Sequence, residues 1–199
     1  MIAASSSLPR RLRAVAEAVP ADARSVVDVG AGDGQLALHL ARRGLHVVAT
    51  EAGRGPFDRL CAALPGFDCR LGDGLEALRP GEVEGAVMAG MGGRTMVRVL
   101  ERSPEVAERL RWLVLQPQQH LDRLLTWLEG TGHRIESRRE VVQGRRSYTV
   151  LLVRRAAGGD ESGRRCHGED RDEMGSGGEP GSAMSGIERR DGRPSPPPP

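Results

Sequence analysis

The fold is decided by the stretch Ser25-Val26-Val27-Asp28-Val29-Gly30-Ala31-Gly32-Asp33-Gly34, in which an apolar run ends in three alternating glycines. The apolar run is typical of a strand that is buried on both faces of a parallel sheet. Glycine tolerates backbone conformations that other residues avoid, so the turn after this strand can pass close to a ligand. Because a helical pattern begins at Gln35, we expect the turn to expose backbone amides at a helix N-terminus, where anions bind well.

Strands and helices alternate on both sides of this stretch, which predicts a parallel sheet with right-handed crossovers. Pro56 is expected at the first position of its helix, where a missing amide breaks no intrahelical hydrogen bond. Two final extended runs, joined by Gln143-Gly144-Arg145-Arg146, predict a hairpin. The layout is an α/β fold with a seven-stranded, mostly parallel sheet and an antiparallel last strand, and it resembles the Rossmann-like fold of class I methyltransferases. The predicted strands are 25–29, 46–50, 67–71, 85–89, 112–115, 133–142 and 148–153, and the predicted helices are 8–19, 35–43, 56–64, a segment opened by Gly92-Gly93, and 121–128.

The composition of the chain changes near Arg155. Residues 156–199 consist mainly of Gly, Ser, Pro and charged residues, a composition that cannot bury enough apolar surface to offset its ordering entropy. This segment holds six arginines and nine acidic residues, a net charge of about −3, so residues 1–155 carry about +5 of the chain's overall net charge of +2. We therefore predict one domain at 1–155 and a disordered tail at 156–199, with a partner-binding tail as the alternative. The mild positive excess of the domain is compatible with RNA.

Several classes of protein are excluded by residues that the sequence lacks. It contains no lysine, and a P-loop nucleotide site requires one. Its three cysteines have neither the spacing of a zinc site nor that of a disulfide framework, so we expect no metal. No apolar run reaches membrane-spanning length, and the N-terminal segment has no signal-peptide pattern. We therefore expect a cytoplasmic protein without a membrane contact, and leave its oligomeric state open.

The ends of the first four predicted strands carry residues that suit one ligand, which in an open α/β sheet binds at this edge. Glu51 follows the second strand, where its carboxylate can accept two ribose hydroxyls. Asp73 and Gly74 follow the third strand and can face an adenine edge, and Gly90-Met91 follows the fourth. Asp28 ends the first strand and can accept the cationic end of S-adenosylmethionine. We predict S-adenosyl-L-methionine as the cofactor, bound by Asp28, Gly30, Gly32, Glu51, Asp73, Gly74, Gly90 and Met91.

A nicotinamide cofactor is the main alternative ligand, since dinucleotide-binding enzymes also have a glycine-rich first turn. Their G-x-G-x-x-G pattern needs glycine where Gln35 stands, and the chain lacks a second βαβαβ half. Two structural alternatives stay open for single residues. Asp28 can cap the following turn, and Glu51 can be a solvated loop carboxylate.

Six motifs, taken in order, resemble the bacterial tRNA (adenine-22-N1)-methyltransferases. The most specific are Ala89-Gly90-Met91-Gly92-Gly93, which stands where many base methyltransferases have Asn-Pro-Pro-Tyr, and Leu115-Gln116-Pro117. The resemblance runs from Leu8 to about Arg154, and it implies methylation of N1 of an adenine in tRNA by S-adenosylmethionine. The other motifs are Leu8-x-x-Arg11-Leu12, Asp28-Val29-Gly30, Glu51 with Gly55-Pro56-Phe57, and Leu71-Gly72-Asp73-Gly74-Leu75.

The target adenine must leave its stack to be reached, and its N1 lone pair must then be aligned with the methyl carbon. We predict that the loop from Gly90 to Gly93 shapes the base pocket, with Met91 packing on cofactor or base. We also predict that Gln116 hydrogen-bonds the base edge and that Asp33 takes up a proton from the exocyclic amine. Ordinary loop packing for Met91 and a strand-end cap for Gln116 are the alternatives. Tyr148 can stack on a base or pack on the sheet edge. A phosphate-binding rim, or else a scatter of solvated arginines, is predicted for Arg10, Arg11, Arg94, Arg98, Arg145 and Arg146.

The first loop departs from the family, which typically has Gly-Ser-Asp-His-Ala-Tyr where this chain has Gly30-Ala31-Gly32-Asp33-Gly34-Gln35. Any role of the family's Asp-His pair is therefore not transferred to Gly32 and Asp33. The family also usually continues into a C-terminal helical domain that helps to hold tRNA. Two rival functions follow: a methyltransferase of a small molecule or protein, and a cofactor-binding or RNA-binding domain without catalysis.

Overall fold

The structure is a computed structural model that describes residues 8–155, and the tail predicted at 156–199 lies outside the described residues. The strands are β1 (Ser25–Val29), β2 (His46–Glu51), β3 (Asp68–Leu71), β4 (Gly85–Met91), β5 (Trp112–Pro117), β6 (His133–Gln143) and β7 (Arg146–Arg155). The helices are α1 (Arg10–Ala18), α2 (Gln35–Arg42), α3 (Arg54–Ala63), α4 (Gly93–Arg102), α5 (Pro104–Ala107) and α6 (Leu121–Gly130).

The strands form one seven-stranded sheet in the order β3-β2-β1-β4-β5-β7-β6. Strands β1 to β5 pair in parallel, and β7 pairs antiparallel with both β5 and β6. Strands β2 and β3 are added on one side of β1, whereas β4 is added on its other side. The carboxyl ends of β1 and β4 therefore flank the topological switch point, where ligands bind in such sheets. This confirms the predicted α/β class, the strand count and the antiparallel last strand.

Two apolar clusters hold the helices against the two faces of the sheet. On one face, Val15 of α1, Leu40 of α2 and Leu60 of α3 are fully buried in the same cluster as Val26. On the other face, Met96 of α4 and the following helices pack in the cluster that contains Val27. Successive residues of β1 therefore enter opposite layers, as the period of two in a strand requires.

Most element boundaries differ from the prediction by one or two residues, and the hairpin turn is shorter than predicted because β7 begins at Arg146. Three further differences stand out. Helix α3 begins at Arg54, so Pro56 is the third helical residue rather than the first, which a first turn tolerates because its amides have no intrahelical acceptor. Strand β4 continues past Ala89 to Met91 through an irregularity in its pairing with β5. The short helix α5 was not predicted. Among the helices of residues 8–155, none is both long and apolar enough to cross a membrane.

Candidate active site

The glycine turn after β1 is fixed by the carbonyl of Thr50 on the neighbouring strand. This oxygen accepts hydrogen bonds from the amides of Gly30 at 2.9 Å and Ala31 at 3.1 Å. Gly30, Gly32 and Gly34 have φ values of 69°, 62° and 73°, in the left-handed region that favours glycine. The amides of Gly30, Ala31, Gly32, Gly34 and Gln35 all have acceptors within the protein. The prediction that the turn exposes its amides is therefore wrong for these five groups.

Glu51, the last residue of β2, reaches across the turn. Its Oε1 atom accepts a hydrogen bond of 2.5 Å from the amide of Gly32. Because a carboxylate has about four lone-pair directions, this one bond leaves acceptor capacity on both oxygens. The side chain is thus held at the turn with room to accept further hydroxyl groups.

Asp28 lies beneath the turn and is 3% exposed. Its Oδ2 atom has no hydrogen-bond partner among the described residues. Burial raises the pKa of this carboxyl from 3.8 to about 7, although the amide of Ala37 acts in the opposite direction and the charges of Glu51 and Asp33 add to the increase. An unpaired buried carboxylate is costly, so a cation or a donor placed at Oδ2 would be bound favourably. The Ala37 contact also agrees in part with the alternative that Asp28 caps the following segment.

The loop after β3 is held by contacts to α4. Asp73 Oδ2 accepts a hydrogen bond of 2.6 Å from Nη1 of Arg102. Gly74 is buried with φ of 72°, and a Cβ atom at this position would lie 2.5 Å from Cγ1 of Val99. The structure therefore gives Asp73 an ion pair and Gly74 a packing role, and the carboxylate of Asp73 keeps acceptor capacity for the adenine-facing role predicted for it.

The loop at the end of β4 meets the glycine turn. A Cβ atom at Gly30 would lie 3.3 Å from Cε of Met91, so the methionine side chain closely approaches the turn. Gly90 has φ of 84°, which allows the strand to bend there. The pairing irregularity between Ala89 and Met91 coincides with this bend. The predicted cofactor turn and the predicted base pocket thus share Met91 as a common wall.

Gln116 is fully buried and lies below the site. Its Oε1 accepts hydrogen bonds from Nη1 of Arg11 at 2.6 Å and from the amide of Gly90 at 3.1 Å. Its Nε2 donates to the carbonyl of Pro117 at 3.0 Å. This placement corrects two predictions. The side-chain amide of Gln116 is not exposed for a hydrogen bond to a base edge, because it is buried and bonded within the protein. The guanidinium of Arg11 points inward to Gln116 and is not part of an exposed phosphate-binding rim. The strand-end cap, the alternative for Gln116, describes it better.

Tyr148 and the hairpin tip stand next to this network. The guanidinium carbon of Arg11 lies 5.8 Å from the centre of the Tyr148 ring, within the range of a cation–π contact. Tyr148 and Arg146 line a cavity of about 330 Å³ together with Gln118, Gln119 and Ser147. Tyr148 is therefore partly packed against α1 and partly at a cavity, so the two alternatives for it are not exclusive.

The remaining predicted site residues are exposed. Asp33 pairs with the side-chain amide of Gln35 at 2.6 Å, at the start of α2. Arg145 lies at the hairpin tip between β6 and β7. Arg94 lies on α4, on the other face of the sheet from α1, where it lines a depression with Arg123. Arg94 and Arg146 thus line different depressions.

Three residues of the site were not predicted. The Oγ1 atom of Thr50 is buried without a partner among the described residues, in addition to the role of its carbonyl. Oε1 of Gln143 accepts the amide of Arg11 at 2.9 Å and so ties the hairpin to the start of α1. The amide of Gln118 donates to the carbonyl of Met91 at 3.0 Å. A β-branched residue within a strand, and glutamines at or just after strand ends, carry no local signal of such contacts. Among residues 8–155, no group of three or more His, Cys, Asp or Glu side chains is arranged to hold a metal ion.

Comparison with known proteins identifies relatives of the chain. It is 29% identical over 154 residues to the tRNA (adenine(22)-N(1))-methyltransferase of Bacillus subtilis (strain 168), a match that covers 73% of this chain and 64% of that protein. The chain thus spans just under two thirds of the length of this curated relative. The crystal structure of the B. subtilis M1A22 tRNA methyltransferase TrmK aligns with a TM-score of 0.70 and 26% identity, over 76% of this chain and 68% of that one.

A second solved structure gives the same result. Sp1610 of Streptococcus pneumoniae, a candidate tRNA (m1A22) methyltransferase, aligns with a TM-score of 0.70 and 28% identity, over 75% of this chain and 71% of that one. The resemblance predicted from the motifs is thereby confirmed. The family model described as "Methyltransferase domain" matches residues 8–151, which is most of the chain. The chain therefore belongs to the methyltransferase-domain family.

Proposed function

We propose that this protein transfers a methyl group from S-adenosylmethionine to N1 of an adenine in tRNA. The observation that carries the proposal is the arrangement of Asp28, Glu51 and Met91 around one glycine turn, because it offers a separate partner to each part of one ligand. The names of the relatives support the substrate. A tRNA substrate would also place the reaction in the cytoplasm.

The residues around the turn fit S-adenosylmethionine. Asp28 has a buried oxygen without a partner, which suits the cationic ammonium end of the ligand. Glu51 keeps acceptor capacity beside the turn, which suits two vicinal ribose hydroxyls. A solved structure of Sp1610 of S. pneumoniae at 28% identity was determined in complex with S-adenosyl-L-methionine, and we transfer that ligand to this site. Asp73 and Gly74 would then border the adenine end of the cofactor, and Gly90 would border the end that carries the reacting methyl group.

The chain's own residues supply orientation rather than a strong base. S-adenosylmethionine, when bound, supplies an electrophilic methyl group. Adenine N1 is neutral and has a lone pair in the plane of the ring, so its attack needs alignment and no prior loss of a proton. Met91 and Gly90 would form the wall against which the base lies, and Gln116 would hold that wall through the amide of Gly90. Asp33 would accept the proton released afterwards from the exocyclic amine.

Calorimetric titration with S-adenosylmethionine and S-adenosylhomocysteine tests the cofactor half of the proposal. Glu51→Ala removes the acceptor, and we expect it to weaken binding by about tenfold or more, as loss of a charged hydrogen-bond partner does. Glu105→Ala is the matched control, since it removes an exposed carboxylate in the first turn of α5, outside the proposed site. Binding that is absent at millimolar ligand, or equal in both variants, would contradict the proposed site.

Methyl transfer to tRNA tests the substrate half. The wild-type protein is incubated with labelled S-adenosylmethionine and tRNA transcripts that carry either adenine or guanine at position 22, and the products are digested to nucleosides. We expect 1-methyladenosine from the adenine transcript alone. Transfer to a protein or small molecule in a cell extract, but not to tRNA, would favour the first rival function. Cofactor binding without any transfer would favour the non-catalytic one.

A further inference from the structure

The cavity beside Tyr148 is positively charged. Its lining consists of Gln118, Gln119, Arg146, Ser147 and Tyr148, and it contains no carboxylate. The neighbouring cavity, between α1 and β6, has a different character, because Glu17 and Glu140 line it together with three arginines. None of the ion pairs among residues 8–155 involves Arg145 or Arg146. Arg146 therefore brings an uncompensated charge to a concave site.

The strand order places this cavity next to the expected position of the reacting base. The glycine turn follows β1, the Gly90-Met91 wall ends β4, Gln118 follows β5, and Arg146 begins β7. These four strands are neighbours in the order β1-β4-β5-β7. The amide of Gln118 bonds to the carbonyl of Met91 at 3.0 Å, so the cavity and the base wall are in direct contact.

We propose that this cavity binds the nucleotide adjacent to the methylated adenine in the RNA strand, an inference that rests on the proposed function. The guanidinium of Arg146 binds the phosphate that joins the two nucleotides, since two of its N–H groups can donate to two phosphate oxygens at once. The side-chain amides of Gln118 and Gln119 contact the edge of the neighbouring base. The ring of Tyr148, held by Arg11 at 5.8 Å, offers an aromatic surface on which that base stacks.

The single tyrosine of the chain provides a direct reporter of this site. Protein with ¹³C-labelled tyrosine, saturated with S-adenosylhomocysteine, is titrated with the dinucleoside monophosphate ApA while the ring signals are followed by NMR. Adenosine, which has no phosphate, is the comparison probe. We expect ApA to shift the Tyr148 signals at lower concentration than adenosine does. Unchanged Tyr148 signals at saturating ApA would overturn the proposal.

Variants of the two adjacent arginines separate a specific contact from general charge. Arg146→Ala should weaken ApA binding about tenfold, whereas Arg145→Ala, which removes the same charge one residue outside the cavity lining, should change it less than about twofold. On tRNA, Arg146→Ala should raise KM with little change in kcat. It should also reduce the slope of log K against log salt by about 0.7, the value for one phosphate contact with a single strand. Equal effects of the two variants would show that only net charge matters, and would overturn the proposal.

The outcomes distinguish this inference from the proposed function. If tRNA is methylated at normal KM by Arg146→Ala and ApA leaves Tyr148 unaffected, the function stands and the nucleotide site is wrong. If ApA shifts Tyr148 and Arg146→Ala abolishes the shift but no tRNA is methylated, the cavity binds nucleotides and the proposed reaction is wrong.

Discussion

Arg11, in the first helix, donates a hydrogen bond of 2.6 Å from Nη1 to Oε1 of Gln116, at the end of the fifth strand. The two residues are 105 positions apart in sequence. The same oxygen receives the amide of Gly90, so one acceptor joins α1, β4 and β5 directly below the proposed base wall. The start of the chain thereby helps to shape a site that is built mainly from loops after the parallel strands.

Removal of either partner in this pair should destabilise the protein. Gln116→Ala leaves the Arg11 guanidinium and the Gly90 amide without their acceptor, and we expect it to lower the free energy of unfolding by about 2 kcal/mol. Arg11→Ala should cost less, since Gly90 keeps its bond. The loss of unfolding free energy in the double variant should be about 1 kcal/mol smaller than the sum of the losses in the two single variants. Urea denaturation of all four proteins measures this coupling, and additive effects would mean that the bond contributes nothing.

The fold could be predicted from the sequence because its signals are local. The bounds of β1 were predicted to the residue, since a run of β-branched residues and the glycines that end it are adjacent in the chain. The extension of β4 to Met91 could not be predicted in this way. It depends on pairing with β5, and on the conformation of Gly90 with φ of 84°, which a glycine permits but does not require.

The pKa of Asp28, about 7 in the folded protein, predicts a specific pH dependence of stability. The folded state holds the proton at a pH where the unfolded carboxyl, with a pKa of 3.8, has lost it. This contribution to stability is therefore fully present below about pH 4 and is lost as the pH rises to about 7. Asp28→Asn lacks the titration, so the difference in unfolding free energy between wild type and variant should change over this window and become constant above it. A difference that is independent of pH between 4 and 8 would contradict the raised pKa.

Binding of S-adenosylmethionine should depend on the same carboxyl. An ammonium group next to Asp28 favours the ionised form, so binding should release a proton when the pH is below about 7. Wild-type affinity relative to Asp28→Asn should accordingly increase from pH 5.5 to 8. Calorimetry in two buffers of different ionisation enthalpy measures the released proton directly. If no proton is released at pH 6, Asp28 is not the partner of the cationic end.

Two glycines of the first turn should respond differently to alanine. Both have positive φ, but a Cβ atom at Gly34 would lie 2.4 Å from Cδ1 of Leu64, whereas a Cβ atom at Gly32 meets nothing within 4 Å. Gly32→Ala should therefore lose about 1 kcal/mol of stability, from backbone strain alone. Gly34→Ala should lose about 3 kcal/mol, because the buried side chain of Leu64 must also move away. Thermal unfolding compares the two, and equal losses would show that Leu64 moves aside without cost.

The candidate site was predicted in its residue types more than in their contacts. Asp28, Glu51 and Met91 were expected from their positions at or just after the ends of strands, and the structure brings all three to one turn. Gln116 and Arg11 were assigned to exposed roles, because sequence shows residue type but not whether a polar side chain has a buried partner far away in the chain. The same reason explains the unexpected pairing of Asp73 with Arg102.

The contact between Gly93 and His120 holds the loop that carries Gln118 and Gln119. A Cβ atom at Gly93 would lie 2.3 Å from the carbonyl oxygen of His120, and the amide of Gly93 donates to the carbonyl of Gln119 at 2.8 Å. His120 itself has φ of 56°, the one positive value at a non-glycine position among residues 8–155. A backbone oxygen cannot rotate away as a side chain does, so the loop has to move if position 93 gains a side chain.

Gly93→Ala should therefore destabilise the protein by about 2 kcal/mol, although alanine is favoured over glycine in helices by about 1 kcal/mol. Gly92→Ala is the matched control, since a Cβ atom there meets nothing within 4 Å and its φ is −73°. If the loop shapes the nucleotide cavity, Gly93→Ala should also raise KM for tRNA while S-adenosylmethionine affinity stays unchanged. Stability equal to that of Gly92→Ala would mean that the loop yields readily, and its glutamines could then not hold a base edge in a fixed position.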